Sequence, residues 1–74
     1  MKVIIAGITR EVFEWHCHKP FPRRGTNLDE YMDDILDMLS LVDGPALTKD
    51  RIVNVRRIYY HPNSEGVIQV AYKI

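Results

Sequence analysis

Residues 27–45 read NLDEYMDDILDMLSLVDGP, and this stretch decides the fold class. Leu28, Tyr31, Met32, Ile35, Leu39 and Val42 recur at helical spacing with Leu36 beside them, while Asp29, Glu30, Asp33, Asp34 and Asp37 take the opposite side. Asn27 is placed as N-cap, with Glu30 three residues on to close a capping box that satisfies two orphan backbone donors reciprocally. Asp29 and Glu30 also suit the positive end of the helix dipole. Asp43-Gly44-Pro45 supplies the stop, with Gly44 as the left-handed cap. A helix with one apolar stripe must bury it against another layer.

That layer is predicted on both sides of the helix. Downstream, Arg51–His61 reads as a strand and Val67–Ile74 as a second, joined by the turn-rich Pro62–Gly66 into a closing β-hairpin. Ile68, Val70, Tyr72 and Ile74 are expected to face the core, and Val67, Gln69, Ala71 and Lys73 the other side. The last strand is the least charged, which puts it at the centre of the sheet. Upstream, residues 2–18, KVIIAGITREVFEWHCH, are rich in β-branched and aromatic side chains and read as extended. Their alternation changes phase: Ile4, Ala6 and Ile8 have one parity, Phe13, Trp15 and Cys17 the other. Strand side chains alternate strictly, so a bulge near Gly7–Arg10 or a split into two strands is required; one long, bent strand is favoured. Residues 19–26, KPFPRRGT, form a loop. The expected fold is α+β in two layers, β-α-β-β, with one amphipathic helix on a small, mainly antiparallel sheet, in a single domain over residues 1–74.

With 74 residues the core is small, and the single Cys17 rules out an intrachain disulfide. A lone thiol fits a reducing compartment, and no apolar run approaches a membrane span, so a cytoplasmic protein is expected. The zero net charge is unevenly distributed. Residues 27–44 hold six acidic residues and no base, whereas the rest sets all ten lysines and arginines against Glu11, Glu14, Asp50 and Glu65. Segregation of this kind steers and orients partners.

Three groups of residues carry possible chemistry. His16 and His18 share a face of the expected strand and His61 is a third imidazole, but Cys17 points away and no zinc-finger spacing is present. No metal and no cofactor are therefore expected. Trp15, His16, His18, Lys19, Phe21, Arg23 and Arg24 form an aromatic and basic cluster. With Arg56, Arg57, Tyr59 and Tyr60 it offers a stacking face for single-stranded nucleic acid; Trp15, Arg56, Arg57 and Tyr59 are its principal residues. Against this, the charge is balanced and the glycine-aromatic signature of an RNA-recognition strand is missing. The undiluted acidic helix face, represented by Asp29, Asp33 and Asp37, is the third group, a solvated surface or a docking surface for a basic partner. Catalysis has no constellation behind it: the glycines are isolated at 7, 25, 44 and 66, and no nucleophile stands at working distance from a base. KPFPRR also lacks a full PxxP pattern.

The total length, the MKVIIAG opening, the capped acidic helix and the closing hairpin resemble the very small phage-encoded inhibitors of bacterial RNA polymerase. The resemblance implies a non-enzymatic regulator that binds the host polymerase, blocks promoter use and alters termination; no functional residue is carried over from it. The residues themselves lead to the same class of function, a module that binds a larger protein through Trp15, His16, His18, Phe21, Arg23 and Arg24 together with Asp29, Asp33 and Asp37. Nucleic-acid binding is the alternative, and a monomer or weak self-association through an edge strand is expected.

Overall fold

The computed structural model describes residues 2–43 and 47–74. Strand β1 (Val3–Ile8) runs into helix α1 (Arg10–Cys17), and a loop leads to a 3-10 turn (Leu28–Tyr31) that continues as helix α2 (Met32–Asp43). After a second 3-10 turn (Lys49–Arg51), β2 (Ile52–Ile58) and β3 (Val67–Lys73) close the domain as a hairpin. The sheet order is β1-β3-β2 with both pairings antiparallel, so the last strand is central as its apolar composition predicts. The fold is α+β with helices on one side of a three-stranded sheet.

Residues 2–18 correct the expectation of one bent strand. The phase change is real, but it marks the start of a helix. Thr9 has extended backbone angles, and its hydroxyl accepts a hydrogen bond from Val12 N at 3.3 Å, an N-cap that ends β1 and opens α1. The Arg10 and Glu14 side chains then pair one turn apart at 3.2 Å. In the helix Phe13 points inward and is fully buried, while Trp15, two residues on, points out. Cys17, four residues from Phe13, packs against the same core. A second helix thus joins the single one expected, and the order becomes β-α-α-β-β.

Sheet register follows the apolar pattern. Ile4 pairs with Tyr72, Ala6 with Val70 and Ile8 with Ile68, placing all six on the core face. Ile68, Val70 and Tyr72 are almost wholly buried, as expected, but Ile74 lies past the strand and is exposed. On β2 a bulge at Val53 shifts the register between Ile52 and Asn54. From the helical layer, Phe13, Ile35, Met38 and Leu39 close the core, with Phe21 and Leu47 from the connections. Phe13 meets Phe21 and Tyr31 edge-on, with ring centroids 5.6 and 5.8 Å apart. No polar or charged residue is buried among the described residues.

The helix entry at Asn27 is also corrected in detail. Asn27 caps it by accepting from Asp29 N at 3.1 Å, but Glu30 makes no reciprocal bond and the first turn is 3-10. The expected Gly44 cap and the Val42 side chain lie outside the described residues.

Candidate functional site

Two neighbouring surfaces gather most of the residues singled out in the sequence. The first is the outer side of α1. Trp15 is 79% exposed and Val12 51%, and the two stand three residues apart on one helical face, where Glu11 joins them around a shallow apolar depression. A tryptophan this exposed is the opposite of what a small core uses its largest side chain for. His16 sits half-buried in the last turn. His18 is the helix C-cap in a left-handed conformation (φ 56°), its N–H donating to Glu14 O at 3.0 Å. The two imidazoles therefore do not share a strand face, and the described residues contain no group of three metal-ligating side chains. Cys17 does not have the character of a nucleophile either: burial and the nearby Asp34 push its thiol above the ordinary range.

The second surface is a cleft of about 560 Å³ between α1, the 20–24 loop and the β2–β3 turn. Arg10, Arg23, Arg24 and Arg57 line it, as do Glu14 and Glu65. Arg10 and Glu65, 55 positions apart, meet here, their side chains 3.3 Å from each other. Arg24 stacks over the Tyr59 ring at 4.0 Å, and its Nη2 donates to Pro62 O and Ser64 O at 2.8 and 2.9 Å. Arg57 reaches from the core face of β2 over the Phe21 ring at 5.0 Å and donates to Pro22 O at 2.7 Å. Phe21 itself is buried, so this predicted contact residue belongs to the core instead. Arg10, Glu14, Ser64 and Glu65 were not picked out in the sequence; the spacing of Arg10 and Glu14 was the one signal available.

Glu14 anchors the loop to the helix. One carboxylate oxygen accepts from Phe21 N at 2.9 Å and the other from Arg10 Nε at 3.2 Å. These bonds, the Phe21 amide first, hold its carboxyl below the usual glutamate range. A depressed carboxylate contributes stability that is fully present above the unfolded value near ~4.3 and is lost as pH falls through the lower folded value. Urea midpoints should therefore drop on acidification below about pH 4. Glu14→Gln should flatten this limb, and an unchanged acid profile in the variant would remove Glu14 from it.

The other predicted residues separate. Asp29, Asp33 and Asp37 are exposed, and the Asp34 carboxylate accepts from Lys19 Nζ at 2.8 Å, tying the loop to α2. Arg56 points to the open sheet face, where it donates to Gln69 Oε1 at 3.1 Å, opposite to Arg57. Trp15 stands on α1 and not on the sheet. The expected platform of Trp15, Arg56, Arg57 and Tyr59 is not assembled on one face. No described helix is long and apolar enough to cross a membrane.

A comparison with protein-family models finds no match, and comparisons with curated proteins and with solved structures find none either.

Proposed function

We propose that this chain is a non-enzymatic regulatory protein that acts by binding a larger protein through the outer face of α1. The observation that carries the reading is the exposure of Trp15 beside Val12 on a helix whose inner face is fully committed to the core. Tryptophan is the residue most enriched at interface hot spots, where a large apolar surface is desolvated with little conformational entropy to lose. The segregated charge supports it further: exposed Asp33 and Asp37 on α2 and the arginines of the cleft carry opposite signs in separate regions, and such segregation orients docking. The resemblance to phage-encoded inhibitors makes bacterial RNA polymerase the first partner to test, with transcription from a promoter as the readout.

Purified polymerase holoenzyme should retain the chain on size exclusion, and Trp15→Ala should weaken binding by about 30-fold or more, the scale of a hot-spot truncation. The variant should melt as wild type does, because the side chain it loses is exposed. If polymerase and bacterial lysate both yield no stoichiometric protein partner at low and moderate salt, the reading is wrong. Undiminished binding by Trp15→Ala would move the interface off α1.

A further inference from the structure

We propose that the arginine-lined cleft is a binding site for a terminal phosphate group, of the kind carried by a phosphorylated side chain. The inference rests on the cleft alone and stands whether or not α1 docks on a partner.

The first argument is uncompensated charge. Four arginines and two glutamates line the cleft. Both carboxylates are engaged by Arg10, at 3.2 Å for Glu14 and 3.3 Å for Glu65. Among the described residues Arg23, Arg24 and Arg57 have no carboxylate within ion-pair distance, and Arg23 is exposed beside the other two. The second argument is preorganisation. Arg24 and Arg57 are fixed by backbone carbonyls at 2.7–2.9 Å and by aromatic rings beneath them. Neutral acceptors hold the guanidiniums in place without cancelling their charge. In both residues Nη2 makes the protein contacts, which leaves Nε and Nη1 without a protein acceptor among the described residues. Two forks already held by protein contacts, with donors to spare, match the several oxygens of a phosphate monoester, since less side-chain entropy remains to be lost on binding.

The same contacts argue against a nucleic-acid backbone. A single strand is held by bases stacked on aromatic faces along a basic track. Here the Tyr59 and Phe21 rings are already covered by the two arginines, and the exposed Trp15 is not part of the cleft. Ser64 adds a further donor. Its Oγ is buried without a hydrogen-bond partner in the wall of the cleft, so rotation toward a bound oxygen satisfies it.

Inorganic phosphate titrated into the ¹⁵N-labelled chain, at constant ionic strength, tests this directly. The Arg24 and Arg57 Nε–H resonances should shift saturably, with acetate at least about tenfold weaker and chloride without a saturable effect. Phosphoserine should reproduce the phosphate shifts, and an oligothymidylate lacking terminal phosphates should not. Arg24→Gln should weaken phosphate by about tenfold or more; Arg24→Lys, which keeps the charge and loses the fork, should fall between. Shifts that chloride matches, or an Arg24→Gln variant that titrates like wild type, would overturn the site. An oligothymidylate that binds more tightly than phosphoserine would overturn the choice of ligand.

Discussion

Replacing Phe13 with alanine is expected to leave the chain largely unfolded at room temperature. Phe13 is fully buried where α1 meets α2 and the sheet, edge-on to both Phe21 and Tyr31. Truncating a buried phenylalanine costs about 3–5 kcal/mol, the lost transfer energy plus the cavity that remains. A core of this size supplies a similar amount, roughly 3–5 kcal/mol, in the absence of a disulfide. The neighbouring aromatic gives the contrast. Trp15→Ala should change stability by no more than about 0.5 kcal/mol, as surface substitutions do. That disparity separates helix from strand. On a strand, residues 13 and 15 share a face and lose similar amounts; on a helix they lie about 200° apart. Far-UV circular dichroism and amide dispersion report the Phe13→Ala collapse, and urea titration reports Trp15→Ala. Comparable losses at the two positions would mean that α1 is not the helix described, and the proposed use of Trp15 as an exposed anchor would go with it. Phe13→Leu keeps most of the volume and should remain folded, with a loss of about 1.5 kcal/mol or less.

The same pair of residues shows where the sequence was legible and where it was not. Helix α2 announces itself because its carboxylates and apolar residues separate cleanly over three turns, and packing then obeys the pattern: Met32, Ile35 and Leu39 are buried. Met38, buried with them, was missed because the core-facing stripe is wider than the strict repeat. The hairpin and its central strand follow from β3 being both alternating and nearly uncharged. Helix α1 was misread for a physical reason. It has only eight residues, and Val12, Phe13 and Trp15 favour strands. A helix this short is unstable alone and exists because the Phe13 side docks in the core, a tertiary gain that overrides propensity. Thr9 as cap and the Arg10–Glu14 pair were its only local signatures. The cleft was legible in kind but not in place. Basic residues at 23, 24 and 57 could be noted, but their convergence with Ser64 and Glu65 depends on where the hairpin turn lands.

That turn is the subject of the second large effect: Gly66→Ala is expected to destabilise the domain by about 2–4 kcal/mol. Gly66 has φ +77°, a left-handed conformation that costs an L-residue about 1–2 kcal/mol. A Cβ there would also lie 2.6 Å from Ile58 O, 2.9 Å from Arg57 Cγ and 3.0 Å from Tyr59 Cδ1. The side-chain atoms can yield, but the Ile58 carbonyl belongs to the strand backbone directly opposite Val67, so relief must come from opening the hairpin. Gly25→Ala isolates the steric part. It has φ +88° with nothing within 4 Å of an added Cβ, so it should cost only the conformational share, about 1–2 kcal/mol. Urea unfolding with linear extrapolation measures both variants, and equal losses would show that the turn does not approach β2 as closely as described. The consequence reaches the cleft. Pro62 and Ser64 supply the carbonyls that hold Arg24, so a displaced turn releases that guanidinium. At temperatures where Gly66→Ala is still folded, it should therefore weaken phosphate binding, through Arg24 as the turn moves and through Arg57, whose Cγ the added Cβ meets, while Gly25→Ala, whose added Cβ meets nothing, should weaken it less. Phosphate affinity that stays at the wild-type level in folded Gly66→Ala would separate the turn from the site and place the preorganisation of Arg24 in its stacking on Tyr59 alone.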